Sequence, residues 1–166
     1  MSLDAFTQTS LVIQVHTIAA LVALIVGPVA LYRARRDRGH RRQGYVWVGM
    51  MVITAATGFF IWTIRVIGPF SPIHLLSVLT LWTLWVGTRA AIRRDIAAHQ
   101  KAFRTLYWYG LILAGLFTFL PGRTLNTLFF DANPSLGWAV IACGVTVVLT
   151  RALRAAGPWG RMRKGG

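Results

Sequence analysis

Five long apolar runs separated by short polar connections organise this chain, at about 9–32, 45–64, 71–88, 96–120 and 136–153, the fourth turning apolar only from Phe103. A helix rises 1.5 Å per residue, so about 20 residues cross a ~30 Å hydrocarbon core. Every run meets that length, the third by a narrow margin. Strands are excluded, because the runs are too long for barrel strands and an open sheet edge cannot survive in lipid. Breakers fall between the runs: Gly68-Pro69-Phe70-Ser71-Pro72 after the second, Pro121-Gly122 after the fourth, and Asp131-Ala132-Asn133-Pro134-Ser135 before the fifth. The pattern predicts an all-α, polytopic membrane bundle of five transmembrane helices. It forms one domain over 1–156, followed by a basic cytoplasmic tail over 157–166.

Composition agrees with that pattern. Only 13% of the 166 residues are charged and 55% are hydrophobic, against roughly 25% charged in a soluble domain. Net charge is +14, a value that ordinarily points to nucleic acid, but the positions of the cations exclude such a partner. Arg33, Arg35, Arg36, Arg38, Arg41 and Arg42 fill the first connection; Arg89, Arg93, Arg94, Lys101 and Arg104 surround the third. Arg151, Arg154, Arg161, Arg163 and Lys164 crowd the C-terminus, which leaves only Arg65 and Arg123 for the other side of the alternation. The positive-inside rule then puts the N-terminus outside and the C-terminus in the cytoplasm of a bacterial inner membrane, with anionic headgroups as partners of the basic face. Trp47, Trp62, Trp108, Trp138 and Trp159 lie near the predicted helix ends, as an interfacial belt would. The first ten residues hold Asp4 and no cation, so the first run is expected to be retained and not cleaved as a signal. The single cysteine, Cys143, excludes a disulfide framework and a C-x-x-C-H haem attachment.

Candidate chemistry rests on four histidines. His16 and His74 fall one or two turns inside the predicted outer ends of the first and third helices, whereas His40 and His99 fall at the inner side. A pair at each face is what two b-type haems would need, each iron taking two imidazoles from facing helices. His16 shares a stripe with Ala20, Ala23 and Gly27, small residues that mark close helix approach, so it is expected to point inward. Arg65 and Arg123 are the candidate partners of a haem propionate or a quinone carbonyl at the outer side, with Gln14, Asn126 and Asp131 at that level. The competing use of each histidine is a plain hydrogen bond to a backbone carbonyl or a nearby Ser or Thr, and for His40 a headgroup contact. The chain has no Glu and four scattered Asp, which removes paired-carboxylate chemistry; Asp95 is placed to cap the fourth helix. Neither a charge at mid-membrane depth nor an inverted repeat supports a transporter.

Several segments carry a resemblance: His40-Arg41-Arg42-Gln43-Gly44-Tyr45, Phe70-Ser71-Pro72-Ile73-His74-Leu75-Leu76-Ser77, Ala98-His99-Gln100, and Phe117-Thr118-Phe119-Leu120-Pro121-Gly122-Arg123. With His16 and Gly27-Pro28, they make the chain resemble domain-of-unknown-function family 2306, predicted bacterial membrane proteins. The family pattern has Arg after the third of these histidines, where Gln100 stands here. The resemblance implies a multi-helix inner-membrane protein whose pattern includes all four histidines and Arg123, and brings no activity with it. Two functions are therefore expected. One is a redox protein holding haem b or a quinone at His16 and His74, with His40 and His99 for a second haem. The other is an accessory subunit of a larger respiratory or photosynthetic complex, self-association included, with no stand-alone enzyme activity.

Overall fold

The computed structural model of the chain describes residues 6–61 and 72–156. Arg65, Trp62, Trp159, the last residues of the second run, the break at 68–71 and the tail at 157–166 lie outside the described residues. All regular structure among the described residues is helical. The chain divides into two compact units, one of residues 7–111 and one of 112–166 with 1–6.

The first unit contains α1 (Leu11–Tyr32), α2 (Arg38–Gly58), α3 (Pro72–Ile92) and α4 (Ile96–Thr105), the last running into a π-helical segment, Leu106–Ile112. Consecutive helices pack side by side and α4 returns to α1, so the four surround one core. α1 buries Ala19, Ala23, Gly27 and Ala30, and α2 answers with Trp47, Met51, Ala55 and Gly58. Small residues at three- and four-residue spacing let helix backbones approach where lipid offers no hydrophobic drive. The buried stripe passes through Ala19, while the expected Ala20 is only half-buried.

Pro28 lies inside α1. It has no N–H, so the carbonyl four residues back, Leu24, loses its helical partner. The Tyr107 hydroxyl donates to that carbonyl at 3.1 Å. Gly27 makes the bond reachable, because a Cβ there would collide with the Tyr107 ring. The π-helical turn carries Tyr107 and Trp108; the Trp108 indole donates to the Tyr32 hydroxyl at 2.8 Å, and Arg104 lies 5.4 Å over the same Tyr32 ring.

Aspartates begin two of the helices. Asp95 accepts from the Ala98 N–H at 3.0 Å, the capping role expected of it. Asp37 accepts from the His40 N–H at 3.0 Å and pairs with Arg33 at 2.9 Å. The Arg33 hydrogen bond, followed by the His40 N–H, holds the Asp37 carboxyl at about 2, below an ordinary value of about 4. A depressed carboxylate stabilises the fold above its unfolded value, and that contribution fades as pH falls from about 4 towards 2. A carboxyl-carbon NMR titration of Asp37 should therefore have its midpoint below the ordinary value of about 4, and Arg33→Gln should move it upward.

Five spans were expected; among the described residues three helices are long and apolar enough to cross a membrane: Leu11–Tyr32, Ile73–Ile92 and Leu136–Arg154. The second run differs because α2 starts at Arg38, not at 45, and ends at Gly58. Its apolar part from Tyr45 to Gly58 gives about 21 Å of helix at 1.5 Å per residue, short of the core thickness. The fourth run is not one regular helix. It changes from α to π at Leu106, back to α at Leu113, and to a 3-10 turn at Phe117.

The second unit holds α5 (Leu113–Leu116), the 3-10 turn Phe117–Phe119, α6 (Thr124–Phe130) and α7 (Leu136–Ala156). The short α6 was not expected from the sequence, which reads as a connection there. Gly122 turns the chain in left-handed conformation, φ +79°. Asn126 is fully buried, and its amide nitrogen donates to the Phe119 and Pro134 carbonyls, each at 2.8 Å. It ties the 3-10 turn to the connection that enters α7.

Candidate functional site

The last turn of α2 gathers the outer histidines of the first unit. Thr57 sits there because Thr in an apolar helix returns its hydroxyl proton to the preceding turn, here to the Ile53 carbonyl at 2.7 Å with Thr54 as the further acceptor at 3.1 Å. Its one proton is thus committed, and the 3.0 Å bond between His16 Nδ1 and Thr57 Oγ1 has the imidazole as donor. The His16 ring then carries its proton on Nδ1 and, when neutral, its lone pair on Nε2; the ring is also hydrogen-bonded to the Thr54 backbone. Two residues on, the Phe59 carbonyl accepts from His74 Nε2 at 3.1 Å, at an end where α2 carbonyls lack helical partners. Between them Gly58 admits Ser77, whose hydroxyl occupies the space a Cβ would need.

The structure therefore brings His16 and His74 to one end of α2, as matched depth required. It uses their rings differently. Nε2, the usual iron-facing nitrogen, is the lone-pair atom of a neutral His16, whereas on His74 it is engaged with the Phe59 carbonyl.

At the opposite end of the unit, His99 Nδ1 donates to the Gly87 carbonyl at 3.0 Å, and its ring lies 4.7 Å from Phe103. Phe103 in turn lies 5.2 Å from Trp47 and covers Gly87, where no side chain would fit. His99 again keeps its Nε2 away from the bond. His40 lies in the first turn of α2, its Nδ1 buried without a partner among the described residues. Gln43 Oε1 and Trp47 Nε1, on the same face of α2, and Arg104 Nε on α4 are likewise buried and unpartnered. His40 and His99 thus occupy the Arg-bearing end of the unit, and His99 bonds to Gly87, not to His40.

Arg123 belongs to the second unit, at the start of α6, where its side chain makes no hydrogen bond or ion pair with a described residue. Arg65 is outside the described residues. Asn126, expected as a polar group beside a cofactor, is committed to two backbone carbonyls. Gln14 binds the Thr7 and Thr9 carbonyls at 3.1 and 2.9 Å, closing the turn before α1. Among the described residues no three His, Cys, Asp or Glu side chains gather as a metal site.

Sequence reasoning placed Ser77 near His74 but missed Thr57 as the partner of His16. The signal available was Thr54 and Thr57 spaced three apart in an apolar helix, opposite the small-residue stripe that carries His16.

No curated protein and no solved structure matches the chain. One family model does, over residues 13–155, which is most of the length and takes in all four histidines and Arg123. The chain belongs to the family described as predicted membrane protein (DUF2306).

Proposed function

We propose that the chain is a five-pass protein of the bacterial inner membrane, N-terminus outside and C-terminus cytoplasmic, that binds a redox ligand at the His16 end of α2. Sidedness is supported by the cation count: 16 of 18 Lys and Arg fall on alternate connections and the C-terminus. The two basic connections of the first unit also share one end, since α3 begins beside the end of α2 through His74 and Phe59.

The observation that carries the ligand reading is the 3.0 Å bond between His16 Nδ1 and Thr57 Oγ1, from which we infer the Nδ1–H tautomer. A neutral imidazole with Nδ1–H held by a neighbouring oxygen and its lone pair on Nε2 is arranged to accept a proton or coordinate iron. A quinol needs one such acceptor for its hydroxyl. A bis-imidazole haem b needs two, and His74 would first have to release the Phe59 carbonyl. Geometry therefore favours a quinone-type ligand at His16 over a haem on His16 and His74. Arg65 and Arg123 are its candidate anion or carbonyl partners, and His40 and His99 the candidates for a second, inner haem.

The alternative is an accessory subunit of a larger membrane complex. It is favoured by the way His16, His74 and His99 each tie one helix to the next, a use that needs no ligand.

Purified protein separates these functions through solvent extraction for quinone and a reduced-minus-oxidised spectrum, with His16→Ala and His74→Ala alongside. Quinone lost in His16→Ala supports the proposal. A b-type band lost in both variants assigns haem instead. A folded protein carrying neither ligand sinks the redox proposal and leaves the accessory role.

A further inference from the structure

The outward face of α3 carries a second kind of site. Leu75, Val78, Leu79, Trp82 and Trp85 are all at least half exposed and follow the three- and four-residue spacing of one helical face. That apolar track ends in cations at the Arg-bearing end of the helix. Trp82 and Trp85 lie 5.0 Å apart, the Arg89 guanidinium lies 5.2 Å over the Trp85 ring, and Arg93 follows one turn later. Between them is a groove of about 390 Å³ lined by Trp85, Thr88, Arg89, Ile92 and Arg93. Its lining has two guanidinium groups, one hydroxyl and no carboxylate.

We infer that this groove is a binding site for one anionic glycerophospholipid. Its phosphate would sit between Arg89 and Arg93, its glycerol beside Thr88, and its acyl chains along Trp85, Trp82 and Val78. Charge and polarity both select this occupant. Guanidinium groups bind phosphate oxygens with charge-assisted hydrogen bonds. An aromatic ring beneath Arg89 holds the cation at the depth of the headgroups, where Trp itself is favoured. A zwitterionic lipid would bring an ammonium towards two fixed cations, so the net charge of the headgroup decides the preference. The inference rests on the membrane location that family membership carries, and not on any redox ligand.

Native mass spectrometry of the full chain in detergent, with phosphatidylglycerol or phosphatidylcholine added at equal concentration, tests it. The expected result is one retained phosphatidylglycerol per chain in preference to phosphatidylcholine. Arg89→Gln with Arg93→Gln should weaken retention about thirtyfold, taking about fivefold from each cation near the surface. Arg89→Lys with Arg93→Lys should keep most of it. Arg41→Gln with Arg42→Gln, an equal loss of charge outside the groove, should leave it unchanged. Equal retention of the two lipids, or equal weakening by both glutamine pairs, would overturn the site in favour of unspecific attraction. A dimer that dissociates in the Arg89 and Arg93 glutamine pair would overturn it in favour of a second copy of the chain. His16→Ala should not change retention, which separates this outcome from that of the redox proposal.

Discussion

Asn126→Leu is expected to destabilise the second unit by about 1–3 kcal/mol, a large effect for a single substitution. Leucine keeps the branched skeleton of asparagine with bulkier ends, so the loss measures hydrogen bonding and some crowding and not a cavity. Asn126 is 0% exposed, and both protons of its amide are used, on Phe119 and Pro134. Removing the donor strands the Phe119 carbonyl, at about 1–3 kcal/mol, and leaves the Pro134 carbonyl only its bond from the Gly137 N–H at 3.2 Å. Water has no easy route to replace it, because Gly137 lies against both the Phe119 carbonyl and the Asn126 amide, where even a Cβ would collide. Asn126→Asp should be no better, since a carboxylate cannot donate to either carbonyl and adds a buried charge. Denaturant unfolding in detergent, with hydrogen exchange followed at residues 117–137, reads the effect. A change below about 1 kcal/mol, with exchange unaltered, would mean the amide is not what joins the turn to α7.

The same residue marks the limit of what the sequence reveals. Apolar runs and breakers are long-range patterns, and they place α1, α3 and α7 to within a few residues of their observed bounds. Asp95 is legible for a related reason, because a cap is decided by its own neighbours three residues away. Asn126 is different. Whether an asparagine beside a polar connection faces a ligand or two carbonyls depends on where Phe119 and Pro134 fold back, and no local pattern carries that. The early start of α2 is also a tertiary effect joined to a local one: Asp37, held by Arg33, caps a helix through an Arg-rich stretch that hydropathy alone reads as a loop.

The histidines divide along the same line. Their depth follows from helix numbering, and His16 and His74 do meet the same turn of α2. Their tautomers do not follow from it. His16 presents Nε2 because Thr57 has already spent its proton on Ile53, whereas His74 engages Nε2 because the end of α2 offers an unsatisfied carbonyl. A search for paired histidines sees two equivalent ligands; the hydrogen bonds make them unequal, and that inequality is what turns the proposed site from a bis-imidazole haem towards a single proton acceptor.

A double-mutant cycle on Tyr107 and Pro28 should expose the largest long-range dependence in the first unit. Tyr107→Phe alone is expected to cost about 1–3 kcal/mol, the penalty for a buried carbonyl left without a donor. The ring stays, so its packing on Gly27 is preserved and only the bond to Leu24 is lost. Pro28→Ala restores an N–H at the position that normally serves Leu24. In that background Tyr107→Phe should cost only a few tenths of a kcal/mol, because the carbonyl no longer needs the hydroxyl. The coupling energy is then close to the whole single-mutant effect, which is unusual for residues 79 positions apart and is read directly from the cycle. Equal costs of Tyr107→Phe in both backgrounds would show that the hydroxyl acts elsewhere. The expected coupling also accounts for the π-helical turn. A seven-residue stretch of poorer helical geometry at Leu106–Ile112 is tolerated where it carries the tyrosine that meets the gap proline leaves in α1.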